Sequence, residues 1–137
     1  MSDSVFTKIR KSEIPGIVLH EDAECFVILS NMPHSPGHLL VIPTKEVADW
    51  YDLDPETYSH LMLVAKYFGK ATKEIYKCPK VSLVSVGFDV PHVHIHVFSL
   101  FEISDIDHEN AKPATMEQRK IEADKFRKYI SSTEGIK

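Results

Sequence analysis

Apolar residues along the chain fall into short runs bounded by turn-forming residues, a pattern typical of buried strands. The acidic turn at residues 21–24 joins the first two runs into a predicted hairpin. Segment 31–37, which contains two prolines and a glycine, separates the second run from the third. The pattern predicts strands at residues 17–20, 25–30, 38–43, 81–86 and 92–98.

Helical spacing of apolar residues, together with capping signals, predicts three helices. The long helix begins after Asp54, a good N-cap residue that is followed by proline at the first helical position. Thr115 and Gln118 have the spacing of a capping box at the start of the C-terminal helix. With their caps, the predicted helices span residues 4–12, 54–76 and 115–130.

These elements predict an α+β fold. We expect a five-stranded antiparallel meander with the long helix crossing between strands three and four. A short helix precedes this sheet, and another helix follows it. The length of 137 residues suits one domain of ordinary size, so we expect a single domain over residues 1–137.

Composition and charge narrow the function classes. Hydrophobic residues make up 43% and charged residues 26% of the chain, which excludes a disordered or collagenous protein. A net charge of −4 argues against binding nucleic acid through its phosphates. We find neither a membrane-spanning stretch nor a secretory signal, and Cys25 and Cys78 have no metal-binding spacing around them. We therefore expect a reducing, cytoplasmic setting without a membrane partner.

Three histidines alternate with apolar residues in the last predicted strand. Because side chains alternate between the faces of a strand, His92, His94 and His96 are expected on one face, along about 13 Å. The residues alone leave three interpretations open. The histidines form a solvated sheet face, bind zinc with His38 as a further ligand, or include a nucleophile that attacks phosphorus to form a covalent intermediate.

The segment before the third strand favours the nucleophile. Residues 33–43, with the sequence PHSPGHLLVIP, followed later by His-x-His-x-His, resemble the histidine triad (HIT) family of nucleotide hydrolases and transferases. The resemblance covers roughly residues 5–100 in the family's order and spacing, and residues 101–137 form a tail and helix outside it. A HIT-like α+β fold is therefore expected.

The resemblance implies roles for four histidines. The middle histidine of the triad, His94, is the implied nucleophile at the α-phosphate of a nucleotide conjugate. His96 is implied to lie near the phosphate and leaving group, and His92 and His38 to support the site. The implied reaction cleaves a phosphoanhydride or phosphoramidate through a nucleotidyl-histidine, releases a nucleoside monophosphate and needs no metal or other cofactor.

Two other function classes remain open. A nucleotidyltransferase or phosphorylase would use the same intermediate with an acceptor other than water. A nucleotide-binding sensor or scaffold would hydrolyse nucleotides only incidentally. Product analysis separates a hydrolase from a transferase, and the complete triad favours an enzyme because a pure binder needs no nucleophile.

Two positions depart from the family pattern. Ser30, followed by Asn31, stands where the family usually holds the ribose hydroxyls with Asp or Asn. Residues 87–91 replace a Gly-Gln-Ser or Gly-Gln-Thr stretch that contacts phosphate, and they place Asp89 there. Asp89 either adds negative charge beside a bound phosphate, which is unfavourable, or is a turn residue.

The resemblance also implies the substrate and the assembly. Ile9, Phe26 and Ile28 are candidates for the wall of a purine pocket, although they fit an ordinary core equally well. We expect an adenine nucleotide conjugate as the substrate and, by family inference, a two-fold homodimer. The remaining histidines match no family site and are expected at the surface: His20, His34, His60 and His108.

Overall fold

The computed structural model describes residues 2–136, which form one five-stranded antiparallel sheet and three α-helices. The predicted α+β class is thereby confirmed. The strands are β1 (Val18–Glu21), β2 (Cys25–Leu29), β3 (Leu39–Pro43), β4 (Lys80–Val84) and β5 (Ile95–Leu100). The helices are α1 (Val5–Arg10), α2 (Pro55–Tyr76) and α3 (Met116–Ser131), with short 3₁₀ turns at Trp50–Asp52, Ile103–Ile106 and His108–Asn110.

The predicted caps begin α2 and α3. The Asp54 side chain accepts a hydrogen bond from the Thr57 N–H, and Pro55 occupies the first turn. Thr115 and Gln118 form the predicted capping box at the start of α3. In the part of the chain that the structure describes, none of the helices is both long and apolar enough to cross a bilayer.

The strand order differs from the predicted meander. The order is β1-β2-β3-β5-β4, so only the first three strands form a meander and β5 lies between β3 and β4. Burial explains the exchange: β5 buries four of its six residues, whereas β4 buries only Ser82. The more apolar strand takes the central position, and β4 remains at the edge of the sheet.

The two faces of the sheet are covered unequally. The large core lies between the sheet, α2 and α3, where the rings of Phe68 and Phe126 are 6.1 Å apart. On the other face, Phe6 of α1 packs on a smaller cluster formed by Phe26, Ile28, Leu40 and Ile42. Since β2 and β3 have apolar cover on both sides, every residue in these two strands is buried.

The prediction that the triad lies along one strand face is wrong. β5 begins at Ile95, so His92 and His94 lie in the segment that leads into it. The His92 side chain, rather than a ladder N–H, binds the carbonyl oxygen of Pro43. β3 has therefore stopped pairing with β5 at this point, and only His96 lies within the strand.

Candidate active site

A cavity of about 740 Å³ opens on the sheet face that α1 covers. Its floor is one row of cross-strand neighbours, in which Ile28 lies opposite Leu40, Leu40 opposite His96, and His96 opposite Val84. Residues from α1, from the loops after β2 and β4, and from the segment after β5 form the walls. Three of the four predicted catalytic histidines, His38, His94 and His96, line this cavity.

His94 presents an unprotonated nitrogen to the cavity when its ring is neutral. Its Nδ1 lies 2.8 Å from the carbonyl oxygen of His92. Because a carbonyl oxygen only accepts, Nδ1 carries the proton and Nε2 keeps its lone pair. Nε2 lies 3.6 Å from Oδ1 of Asp89, and the ring packs against Phe6 with centroids 4.8 Å apart. The arrangement suits nucleophilic attack by Nε2.

A second set of contacts fixes the tautomers of His38 and His96. The backbone N–H of His34 donates to Nδ1 of His38 at 3.0 Å, so neutral His38 carries its proton on Nε2. That Nε2–H donates to Nδ1 of His96 at 2.9 Å. Neutral His96 must then carry its proton on Nε2, where it is available to an oxygen or nitrogen atom of a ligand in the cavity.

Gly37 allows the loop to place His38. It adopts a φ of +79°, which favours glycine, and an added Cβ would collide with the Tyr76 hydroxyl. That hydroxyl donates to Glu122 of α3 at 2.6 Å. The glycine before His38 therefore lets the loop pass close to the end of α2.

His92 supports the site from below and does not line the cavity. It is fully buried, and its Nε2 donates to the Pro43 carbonyl oxygen at 2.6 Å. Nδ1 consequently accepts from the Ser4 hydroxyl, also at 2.6 Å. The Glu46 carboxylate accepts hydrogen bonds from the Ser4 N–H and the Thr7 hydroxyl and so holds the start of α1 in place. His92 in turn carries the carbonyl group that orients His94.

Burial keeps the supporting histidines neutral at physiological pH. Burial, reinforced by the imidazoles of His94 and His34, lowers the pKa of His96 to about 4. The pKa of His38 is lowered further, by burial and then by His96. Burial also lowers the pKa of His92, against opposing effects of the Pro43 carbonyl and Glu46. The hydrogen bonds described above require the rings of His38, His92 and His96 to be neutral, because each ring accepts at one nitrogen.

The predicted binding residues divide between cavity and core. Ile9, Ile28, Ser30, Asn31 and Asp89 line the cavity. Ser30 is nearly buried, and its hydroxyl accepts from the Met32 N–H at 3.1 Å. Phe26 is fully buried in the smaller core cluster and does not line the cavity. Its ring and that of His92 have centroids 6.4 Å apart.

Sequence reasoning missed several residues that the fold brings to the cavity. Phe6 of α1 and Arg119 of α3 line it, as does His108. His34, expected at the surface, is half-buried and stacks on Phe98 with centroids 4.7 Å apart. These residues come from distant parts of the chain, so no local spacing signal identifies them.

A second histidine group lies outside the cavity. His20 and His60, also expected at the surface, are partly buried, and each places Nε2 2.7 Å from Oδ2 of Asp22. Within residues 2–136, one group of side chains is suited to hold a metal ion: His20, Asp22 and Cys25, whose ligand atoms all lie within 4.8 Å of one another. The donor atoms of the triad do not converge in this way, so its geometry does not favour the zinc interpretation.

The fold and the triad define a histidine triad protein. The HIT domain family matches residues 11–103, more than half of the chain, and the chain belongs to this family. This match begins directly after α1, extends through β5 and includes all four predicted catalytic histidines.

Three similar proteins illustrate the relationship. The adenosine 5′-monophosphoramidase of Saccharomyces cerevisiae is 34% identical over 94 residues, which cover 68% of this chain and 60% of the yeast protein. A HIT-like protein of Bartonella henselae has a TM-score of 0.79 at 26% identity, over 92% of this chain and 95% of that one. A histidine triad nucleotide-binding protein of Sulfolobus tokodaii has a TM-score of 0.81 at 25% identity, over 93% and 91%.

Proposed function

We propose that this protein is a hydrolase that cleaves a phosphoanhydride or phosphoramidate bond at the α-phosphate of an adenine nucleotide. The reaction proceeds through a covalent nucleotidyl-His94. The observation that carries the proposal is the hydrogen bond from Nδ1 of His94 to the His92 carbonyl oxygen, because it leaves Nε2 free to attack from the cavity wall. The similarity to the yeast adenosine 5′-monophosphoramidase supports the substrate class.

The first step forms a bond between Nε2 of His94 and the α-phosphorus and breaks the bond to the leaving group, which departs with the bonding electron pair. A phosphate leaves as an anion, whereas the nitrogen of a phosphoramidate takes up a proton from solvent and leaves as a neutral amine. The His94 ring becomes positively charged, and the His92 carbonyl oxygen stabilises that charge through Nδ1–H. The Nε2–H of His96 donates a hydrogen bond to the departing atom. His38 is a positioning residue because it fixes which nitrogen of His96 carries the proton.

The second step returns the enzyme to its starting state. The oxygen of a water molecule attacks phosphorus, and the electrons of the phosphorus–nitrogen bond return to Nε2 of His94. One water proton stays on the product phosphate and the other passes to solvent. The nucleoside monophosphate then leaves the cavity. No metal takes part in either proposed step.

The lining of the cavity suggests how the nucleoside binds. Ile9 and Ile28 offer an apolar wall for the base, close to α1. Ser30 and Asn31 bring a hydroxyl and an amide to the same wall, and we assign these to the ribose hydroxyls. Phe26 contributes only indirectly, by packing beneath His92.

The test is intact-protein mass spectrometry after brief mixing in metal-free buffer. The substrates are adenosine 5′-phosphoramidate and, separately, a diadenosine polyphosphate. We expect an adduct of one adenosine monophosphate on the wild type and on His20→Asn, a matched control outside the cavity, but none on His94→Asn. An adduct that persists on His94→Asn, or no adduct and no turnover with either substrate, would contradict the proposal.

We further propose a homodimer in a reducing, cytoplasmic setting. β4 lies at the edge of the sheet, and Leu83 and Val86 near it are 52% and 64% exposed, an apolar edge that suits pairing with a second copy. Cys25 and Cys78 are buried free thiols. Light scattering of the wild type and Leu83→Lys tests the dimer: a monomeric wild type contradicts it.

A further inference from the structure

Three basic side chains that the proposed reaction does not use line the same cavity. His34 comes from the loop after β2, His108 from a 3₁₀ turn after β5, and Arg119 from the first half of α3. The rings of His34 and His108 have centroids 5.8 Å apart. Arg119 is the one arginine, and there is no lysine, among the residues that line this cavity in the described part of the chain.

The two histidines lie on the His96 side of the cavity. The backbone N–H of His34 binds His38, and the His34 and His38 rings have centroids 5.1 Å apart. His38 in turn contacts His96, the group assigned to the leaving atom. His34 therefore adjoins the position of the leaving group, and His108 lies beside His34. Arg119 lines the same cavity from α3.

Two buried polar atoms of this group lack a partner. Among residues 2–136, Nδ1 of His34 and Nε of Arg119 are buried without a hydrogen bond. The ion pairs of α3 join Lys125 to Glu122 and Arg127 to Asp124 and do not involve Arg119. A buried polar atom without a partner is costly, and a ligand that supplies acceptor oxygens would relieve that cost.

The fold fixes the segment that carries Arg119. The backbone N–H groups of Lys112 and Ala114 donate to the carbonyl oxygens of Pro33 and Asn31, at 3.2 and 3.0 Å. Phe126, farther along α3, is fully buried in the core. The chain after β5 is thus attached to the loop that carries His34, so the basic residues from both segments form one wall.

We propose that His34, His108 and Arg119 form a subsite for an anionic leaving group. The preferred substrate is then a nucleotide phosphoanhydride whose leaving group carries phosphate, rather than a phosphoramidate. This inference rests on the proposed function and selects between the two bond types that it allows.

The chemistry of the leaving group agrees with the neutral state of the site. A phosphate departs as an anion and needs no proton, whereas an amine leaves well only when it is protonated. Because burial lowers the pKa of His96, this ring is a hydrogen-bond donor rather than an acid at pH 7. Arginine suits phosphate oxygens because its N–H groups form several charge-assisted hydrogen bonds.

The test compares two substrates across two variants. We measure kcat/KM for a diadenosine polyphosphate and for adenosine 5′-phosphoramidate and take their ratio. Arg119→Met keeps the unbranched stem but removes the guanidinium, and Arg127→Met is the matched control on an exposed position of α3. We expect the ratio to fall about tenfold or more in Arg119→Met and to stay within about twofold of the wild type in Arg127→Met.

His34→Phe is a second variant, since it keeps the stacking on Phe98 and removes both ring nitrogens. It should lower the same ratio. An unchanged ratio in both folded variants, or equal losses on the two substrates, would overturn the subsite. If the wild type turns over neither substrate, the proposed function fails. The subsite is then tested by titration with inorganic pyrophosphate: weaker binding by Arg119→Met than by the wild type supports it, and equal binding overturns it.

Discussion

Two histidine clusters in this protein use the same side chain in different ways. In the active-site cluster, the rings of His94 and His92 bind carbonyl oxygens, and His38 binds His96. Outside it, His20 and His60 share one oxygen of Asp22, and that carboxylate also accepts the N–H groups of Glu24 and Cys25. The hydrogen-bond partners of the first cluster are uncharged, whereas the second cluster is built on a carboxylate.

The difference shows that the partner, rather than the residue type, sets the role of a buried histidine. A carbonyl oxygen fixes one tautomer and adds no charge, so the other nitrogen remains available for chemistry. The carboxylate of Asp22 instead joins the turn between β1 and β2 to α2. Burial alone would raise the pKa of Asp22, but hydrogen bonds from His60, His20 and the two N–H groups hold it well below its usual range.

The largest expected effect comes from removing the nucleophile in the cavity cluster. His94→Asn retains a polar side chain of smaller size but has no imidazole to form the covalent intermediate. We expect kcat to fall by at least about a thousandfold, measured with adenosine 5′-phosphoramidate or a diadenosine polyphosphate. His20→Asn, in the other cluster, should stay within about threefold of the wild type. Comparable losses in the two variants would remove the distinction between the clusters.

His38→Asn tests the positioning role inside the first cluster. Without His38, nothing fixes the proton of His96 on Nε2, and the leaving atom loses a directed donor. We expect kcat to fall about 10- to 100-fold, with a smaller change in KM. Circular dichroism provides the control for folding. A purely structural role predicts a lower melting temperature and a proportionate loss of active protein, with no change in kcat per folded molecule.

The two clusters should also respond differently to acid. His96 has a pKa near 4 in the folded protein and near 6.5 when unfolded, so the unfolded chain binds more protons between these values. The stability that depends on its neutral form is complete above about pH 6.5 and is lost as pH falls toward 4. His96 alone should make the free energy of unfolding, measured in urea, about 1–2 kcal/mol lower at pH 5 than at pH 7. His38 and His92, whose pKa values are also lowered, add losses of the same sign.

The contribution of Asp22 to stability is lost at lower pH than that of His96. Its pKa is depressed on folding, so its contribution is present above the unfolded value near 3.9 and is lost only below it. Asp22→Asn should lower the free energy of unfolding by about 1 kcal/mol at pH 7. The variant should still show the wild-type decrease in this free energy between pH 7 and 5. If the loss of stability between pH 7 and 5 disappears in Asp22→Asn, that loss comes from the Asp22 cluster, and its assignment to the active-site histidines is contradicted.

The smallest expected effect concerns Asp89, a carboxylate close to the nucleophile. Asp89 lies 3.6 Å from Nε2 of His94 and repels an incoming phosphate, but its side chain is 79% exposed and therefore well screened. Asp89→Asn should raise kcat/KM about threefold at low salt, with the difference narrowing as salt is added. A loss of activity would instead indicate that the carboxylate assists the reaction.

Local sequence patterns carry much of this fold. Asp54 and Thr115 begin α2 and α3 as their side chains predict, and the apolar runs locate all five strands. Strand order does not follow from such patterns, because the exchange of β4 and β5 depends on which strand buries more surface. Similarly, alternation placed His92 beside His94 on a strand, but the contact between His92 and Pro43 is a long-range one.

The same limit applies to the site. Sequence spacing and the family resemblance identify His38 and His94 as candidates, because these residues lie within local motifs. They cannot give the direction of a hydrogen bond, which depends on carbonyl and N–H groups from other segments. His34 and Arg119 line one cavity only because the chain after β5 runs back along the loop after β2.

The most direct measurement is the tautomer of each site histidine, read from imidazole ¹⁵N chemical shifts and two-bond couplings at pH 7. Each signal is assigned by single substitutions. The structure predicts the proton on Nδ1 in His94 and on Nε2 in His38, His92 and His96. A His94 ring that carries its proton on Nε2, or a His96 ring that carries it on Nδ1, would contradict the assignment of nucleophile and donor.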